Sequence, residues 1–408
     1  MTLPAIGLMI AAAWAARMWP AQRRNALLAI SLTALFALHA DQGVYAAAVL
    51  SGAAVILVAG VWLIVTEQAA PTWTTPEGRK RAALILIMAV IGVFAALKLP
   101  IAGQVGAVFS LPSGWAWIGF SYLAFRLLHV LLDYRIGRAS GLSLPDFALY
   151  ALFFPAIPAG PIARVEVFAK ELRAAPGPLL PALRRLMRGV FKKFVLADGL
   201  ALFALSEALA ADARTGGIGA AAALWIALYA YALRLFWDFS GYTDIAIGIG
   251  MVAGIKLPEN FEAPYLKSNL NAFWNNWHIT LSMWFRAYVF MPISRTLMST
   301  RLRAQREIVV LIAQVSTMVL IGLWHGAALN FVLWGLWHGV GLWVWRQYAE
   351  RTHDWTAYLA ERPRLQRLIR AGGVVATFHY VCIGWVFFAL PAPDLIGKVL
   401  LGLIGRAA

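Results

Sequence analysis

Two histidines stand in apolar sequence, where an ionisable side chain is expensive. His325 lies in G-L-W-H-G-A-A-L-N (322–330), between runs that look long enough to cross a bilayer, and His278 lies in F-W-N-N-W-H-I-T-L-S (273–282). An ionisable group at membrane depth costs several kcal/mol unless it loses its charge, so such residues point to a cavity or a pathway. A neutral imidazole can take a proton from a hydroxyl, and general-base catalysis of that kind contributes about 10²–10⁴-fold. Gly322 and Gly326 leave little bulk beside Trp324, which permits close approach of a helix or a substrate. The plainer reading is a histidine bonded to a neighbouring helix. His338, in W-G-L-W-H-G (334–339), reads as a packing residue that binds no metal.

Written as a helix at 100° per residue, Phe273–Tyr288 places Phe273, Trp274, Trp277, Leu281, Trp284, Phe285 and Tyr288 on one arc. Asn275, His278, Ser282 and Arg286 fall on an adjoining polar strip. Such a helix walls a polar cavity or lies at the membrane surface as an aromatic anchor, and periodicity leaves both readings open. The stretch F-W-D-F-S-G-Y-T-D-I-A-I-G (236–248) adds Asp238 and Asp244, carboxylates able to orient a histidine, bind a proton or cap a helix. No G-x-G-x-x-G on a strand, Walker-type G-x-x-x-x-G-K-[ST] or H-E-x-x-H occurs. No histidine pair has the i,i+3 or i,i+4 spacing of a helix-face metal site, so none is expected. Cys382 is the sole cysteine, which excludes an intrachain disulfide and cysteine-rich zinc sites.

The elements that must position these groups are membrane helices. Of 408 residues 61% are hydrophobic and 13% charged, with mean hydropathy +0.71. A soluble chain would carry about 25% charged residues. The uncharged run Gln42–Thr66 exceeds the ~18 residues that mark a crossing. The net charge of +16 collects in short loops between apolar segments, as cytoplasmic loops do, and suggests anionic lipid rather than nucleic acid. Leu3–Ala16 has no basic residue before it, so it reads as a retained first helix with its N-terminus outside and not as a secretory signal.

Alternating basic loops (Arg17–Arg24, Glu77–Arg81 and Arg135–Arg138 inside; 39–43 and 100–113 outside) predict crossings near 3–16, 25–39, 44–65, 82–99 and 115–133. Phe147–Ile162 holds Pro155, Pro158, Gly160 and Pro161 between two basic flanks and is expected to be re-entrant or broken. Segment 183–194, with Arg184, Arg185, Arg188, Lys192 and Lys193, reads as an interfacial amphipathic helix. Further crossings are expected near 195–211, 219–238, 308–324, 328–345, 372–390 and 393–405, with a more polar region over 239–306. The expected fold is an all-α polytopic membrane protein with about eleven crossings and at least one re-entrant element. It forms a single membrane domain over 1–408, divided into N-terminal helices (1–114), a core (115–345) and C-terminal helices (346–408).

Four blocks in this order, D-F-S-G-Y-T-D-I-A-I-G (238–248), L-P-E-N-F-E-A-P-Y (257–265), F-W-N-N-W-H-I-T-L-S-M-W-F-R-A-Y (273–288) and G-L-W-H-G (322–326), resemble the membrane-bound O-acyltransferase (MBOAT) superfamily. The likeness covers about 115–345 and implies an MBOAT-like core. G-F-S-Y-L-A-F-R (119–126) and F-F-P-A-I-P-A-G-P-I-A-R (153–164) look closer to the D-alanyl transferase type serving teichoic acids. G-L-W-H-G-A-A-L-N-F-V-L-W-G-L-W-H-G (322–339) looks closer to the alginate and peptidoglycan O-acetyltransferase type. Asn276 and Ala287 stand where the family commonly has arginine and aspartate.

The resemblance implies that a small acyl group, D-alanyl or acetyl, moves from a cytoplasmic thioester to a hydroxyl of a cell-envelope polymer or a partner protein. His325 would be the base and His278 would orient the donor or the oxyanion, with Asn275 and Ser282 nearby. Trp274, Trp277 and Trp324 would shape an acyl passage, and Asp238 and Asp244 would support it. No bound cofactor or metal is needed, because the thioester, an acyl carrier protein's phosphopantetheine or acyl-CoA, supplies the leaving group. A periplasmic acyltransferase partner and a bacterial inner-membrane, multi-pass location follow by the same analogy. Two other classes fit some of the residues: a transporter or flippase using the broken helix and histidines as a path, and a haem- or quinone-binding bundle.

Overall fold

Apolar runs bounded by arginine and lysine become helices in the computed structural model, which describes residues 2–66, 75–99, 102–138, 141–212, 216–352, 355, 358 and 361–406. The first four are α1 (Leu3–Met18), α2 (Arg23–Ala37), α3 (Val44–Val65) and α4 (Pro76–Lys98). The start of α4 follows from its sequence: the Thr75 hydroxyl accepts from the Gly78 amide at 3.0 Å, Pro76 opens the first turn and Glu77 sits at its positive end. Then follow α5 (Phe120–Arg135), α6 (Leu144–Leu152), α7 (Val165–Arg173), α8 (Leu179–Phe191) and α9 (Ile218–Val252). The chain continues through α10 (Leu270–Asn276), α11 (Ile279–Phe285), α12 (Arg306–His325), α13 (Leu329–Arg351), α14 (Pro363–Ala389) and α15 (Pro393–Leu403). No strand occurs among the described residues; one antiparallel bridge joins Phe261 and Trp277.

Five described helices, α3, α4, α9, α12 and α14, are long and apolar enough to cross a membrane. In these the backbone satisfies its own polar groups, as hydrocarbon requires. The six other expected crossings, near 3–16, 25–39, 115–133, 195–211, 328–345 and 393–405, have no helix of that length and hydropathy among the described residues, and two of them differ outright. Segment 195–211 breaks into a π-helical turn (Lys192–Ala197) and short helices at Asp198–Ala201 and Glu207–Asp212, none able to cross. The 11-residue α15 rises only about 17 Å at 1.5 Å per residue, short of the hydrocarbon slab. Of the outer loop expected over 100–113, Ala102–Val108 is helical, and residues 100 and 101 lie outside the described residues.

The described chain forms two compact units: residues 1–190 with 242–259, and residues 191–241 with 260–408. In the first, 13 of the 16 residues of α5 are buried, making it the central helix. Beside it the chain breaks after Leu152, where the prolines forbid helix, and turns through Phe154–Ala156. The freed backbone is then bonded by side chains. Buried Arg126 donates to the carbonyls of Ala151 and Ala156, both at 2.8 Å. The Tyr242 hydroxyl donates to Pro155 O and accepts from the Ala159 amide, each at 3.3 Å. Gly119 has φ +82°, and a Cβ there would sit 2.7 Å from Ile157 Cγ2, so glycine is required. The basic helix α8 is tied down by Arg185 and Arg188, which donate to buried Asp244 at 3.0 and 3.1 Å. Arg185 also pairs with Glu259.

In the second unit, α12 and α13 form a hairpin closed by glycines. A Cβ on Gly322 would meet Phe331 O at 2.1 Å, and one on Gly335 would meet Val319 Cα at 2.6 Å. Gly322, flagged by the sequence, therefore serves close helix approach, and Gly335 does the same without having been flagged. Helix α14 packs against α13, with the Trp337 indole donating to Tyr380 O at 3.1 Å and the Tyr380 hydroxyl donating to Trp337 O at 2.5 Å.

Candidate active site

The segment expected as one helix over Phe273–Tyr288 is broken. Helix α10, capped by Asn269 accepting from the Ala272 amide at 2.7 Å, ends at Asn276, and α11 begins at Ile279. Between them His278 takes a left-handed backbone, φ +42° and ψ +55°. This conformation costs about 1–3 kcal/mol for a residue with a Cβ and persists only where its surroundings impose it. Residue Asn260 imposes it. Its carbonyl accepts from the Ile279 amide at 2.9 Å, and its Oδ1 accepts from the Thr280 amide at 3.2 Å and the Thr280 hydroxyl at 2.7 Å. The Glu262 amide donates to Asn276 O at 3.1 Å on the other side of the break. Sequence reasoning missed Asn260 and Thr280; the asparagine of L-P-E-N-F was a signal for a turn, but its partner lies 20 residues away.

The break redistributes the expected aromatic arc. Trp277 stacks on Phe273 at 5.5 Å and packs against Phe261 and Trp385. Trp274 points elsewhere, to Trp334 at 5.5 Å and His338 at 5.0 Å. On the polar strip, Arg286 still donates to Asn275 Oδ1 at 2.8 Å, and the Ser282 hydroxyl donates to Trp277 O at 3.1 Å. His278 leaves that strip and packs edge-on to Phe239, 4.7 Å between centroids.

His325 is the last residue of α12, since Gly326 extends to φ −170° and ends the helix. It packs against Trp324 (4.4 Å), Phe388 (4.8 Å) and Trp334 (5.7 Å), and is half-buried rather than sealed. Trp324 also lies 6.1 Å from His278, so the two imidazoles flank one indole. Burial, and then the neighbouring His325, push the His278 imidazole well below its ordinary value, which keeps it neutral. His338 is fully buried among Trp274, Trp334 and Trp385, and among the described residues neither of its ring nitrogens has a hydrogen-bond partner.

A cavity of about 640 Å³ lies in the same unit, walled by Trp274, Asn275, Ser282 and Arg286, by Gln314, Thr317 and Ile321 of α12, and by Trp343, Arg346 and Glu350 of α13. Neither histidine is in its wall; Trp274 of the wall packs on Trp334, which in turn packs on His325. Among the described residues the indole N–H groups of Trp274 and Trp343 have no hydrogen-bond partner. The two aspartates are already engaged: Asp238 accepts from Lys193 at 2.5 Å in this unit, and Asp244, in the other unit, is held by its two arginines. Among the described residues one group has the spacing of metal ligands, His129, Asp133 and Glu166 in the first unit. Arg164, 3.0 Å from Asp133 and 3.6 Å from Glu166, already supplies a cation there.

Fold and site define an integral membrane protein of many helices whose second unit gathers two imidazoles, a tryptophan shell and a polar cavity. The membrane-bound O-acyltransferase family model matches residues 85–387, and the chain belongs to that family; it is an O-acyltransferase. It is 30% identical to "Teichoic acid D-alanyltransferase" of Streptococcus thermophilus over 67% of this chain and 68% of that one. It is 31% identical to "Probable alginate O-acetylase AlgI" of Azotobacter vinelandii, over 69% of this chain and 52% of the relative. Its identity to "Peptidoglycan O-acetyltransferase" of Helicobacter pylori is 32%, over 64% of this chain and 46% of that protein. The chain thus spans about half the length of the two O-acetylating relatives.

Proposed function

We propose that the protein transfers a small acyl group, D-alanyl or acetyl, from a cytoplasmic thioester to a hydroxyl of a cell-envelope polymer or of a partner protein that completes the transfer. The observation that carries this reading is the pair of imidazoles flanking Trp324, one neutral and buried, the other keeping accessible surface. His325 takes the proton of the acceptor hydroxyl as its oxygen attacks the thioester carbonyl. The C–S bond then breaks and the thiolate leaves toward the cytoplasm. His278, held by Asn260, orients the donor or stabilises the oxyanion.

The cavity suits the donor arm: it reaches from Arg346 and Glu350, near the basic end of α13, to Trp274 and Ile321, one turn before His325. The unpartnered indole donors of Trp274 and Trp343 match the amide carbonyls of a phosphopantetheine chain. Asn275 and Ser282 line this route, while Trp274, Trp277 and Trp324 fix the width of the acyl passage. Asp238 and Asp244 hold helices in place. The leaving group comes with the donor, so no metal or resident cofactor enters the scheme. The carrier or acyl-CoA docks from the cytoplasm, and the protein works as a multi-pass enzyme of the bacterial inner membrane.

The test is His325→Ala at unchanged membrane abundance, with acetate and D-alanine released from isolated envelopes by mild base. Loss of one of these identifies both the base and the acyl group. Ester content equal to wild type overturns the assignment of His325.

A further inference from the structure

A groove of about 790 Å³ runs between α13 and α14, with neither histidine in its walls. One side is Leu336, Val340, Val344 and Tyr348, left 39% to 55% exposed. The other side is Ala376 and Tyr380. The floor is the Trp337–Tyr380 stack, 4.5 Å between centroids, whose polar atoms bond reciprocally across the two helices and leave an apolar surface. Ordered water needs two to four polar partners, which this floor does not offer. Helix α14 is long and apolar enough to span the bilayer, so the medium against the groove is hydrocarbon.

The mouth of the groove has the opposite chemistry. At Gly373 a Cβ would approach Ser268 O to 2.6 Å, so the 267–269 loop is drawn onto α14 and Lys267 sits at the rim. Arg370 lies one turn before Gly373 on the same helix face, and Arg351 ends α13 one turn beyond Tyr348. None of these three cations has an ion-pair partner among the described residues. The basic segment Arg346–Arg370 marks this end as cytoplasmic, where the leaflet is anionic.

We infer that the groove holds one acyl chain of an anionic glycerophospholipid, with its phosphate at Lys267, Arg370 and Arg351. Each cation at an anionic surface contributes about fivefold to such a preference. The occupant is independent of the acyl-transfer scheme, and its test does not read activity.

The full chain, in nanodiscs of phosphatidylcholine doped with diazirine-tailed phosphatidylglycerol or diazirine-tailed phosphatidylcholine, is photolysed and its α13 and α14 peptides are mapped by mass spectrometry. Labelling by phosphatidylglycerol should exceed labelling by phosphatidylcholine at least about fivefold. The preference should collapse in Lys267→Glu/Arg370→Glu, whose exposed or half-buried positions spare the core, and Ala376→Phe should block both labels by filling the groove. Equal labelling by the two lipids overturns the headgroup assignment, and absence of label on these helices overturns the acyl-chain site. Chain-to-chain disulfides in Val340→Cys would show instead that a second copy covers this face, and would equally refute the lipid.

Discussion

Replacing Asn260 with alanine removes an acceptor that lies outside any catalytic contact yet fixes the backbone of His278. The Ile279 amide keeps its bond, because that acceptor is the residue 260 carbonyl. The Thr280 amide and hydroxyl both lose Oδ1 at a site where Asn260 is 0% and Thr280 7% exposed. A buried donor left unsatisfied costs about 1–3 kcal/mol. Because the hydroxyl can rotate to a new acceptor, the amide is the donor at stake and the expected loss is about 1–3 kcal/mol, comparable with the ~1–3 kcal/mol of left-handed strain that these bonds offset. The break should then relax toward continuous helix and carry the imidazole onto the polar strip of Asn275 and Ser282. The assay pairs the thermal midpoint of the purified protein with base-releasable ester in cells matched for membrane abundance. Asn260→Ala should lower both; Asn260→Asp, which keeps an oxygen acceptor, should recover much of the ester; Thr280→Val should fall between. A lowered midpoint with undiminished ester would refute the positioning argument, and an unmoved midpoint would show that the bonds carry no weight.

Other outcomes follow from the same contacts. His278 is held neutral, so the native state binds fewer protons than the unfolded chain. Stability should therefore fall as pH drops below the unfolded value near 6.5, by up to about 1.4 kcal/mol per pH unit, and His278→Gln should flatten that slope in pH-dependent melts. Arg126→Met should leave the Ala151 carbonyl unsatisfied, while Ala156 O keeps the Gly160 amide at 3.2 Å, costing about 1–3 kcal/mol and exposing the 153–162 turn to limited proteolysis. Trp274→Ala should widen the cavity as far as Trp334, the neighbour of His325, raising thiol release from the donor relative to ester formed in membrane vesicles. Trp274→Phe, which keeps the wall and deletes the N–H donor, should instead raise the donor KM.

Much of the fold is legible because a membrane helix is a local object. The uncharged run 44–65 and the hairpin about His325 appear where composition and basic flanks place them, and the prolines of 153–162 break the chain as they must. The errors come from non-local partners and marginal lengths. Segment 195–211 reads as apolar enough to cross, yet its helix stops at Ala201 and resumes only at Glu207. A carboxylate such as Asp244 looks equally catalytic or structural until the arginines of α8, 56 and 59 residues earlier, are found on it. At the site, the types and rough neighbourhood of His278, His325, Trp274 and Trp324 were readable, while the break at His278 was not. No window around Phe273–Tyr288 contains Asn260, and period alone favours an uninterrupted helix.

That break also discriminates between the two readings which the periodicity of Phe273–Tyr288 left open. An aromatic anchor at the membrane surface needs its rings on one face, and an unbroken helix supplies this without strain. Here the arc is dismantled: Trp277 and Trp274 face different neighbours, and a residue with a Cβ is forced into the left-handed region by bonds from a remote loop. Such strain persists where the surrounding structure over-determines it, and it concentrates where a side chain must be aimed. The residue so aimed is His278, turned away from Asn275 and Ser282 and toward Phe239 and Trp324, the indole it shares with His325. An anchoring role gives no reason for that displacement; the proposed mechanism, which uses a second imidazole beside the first, does.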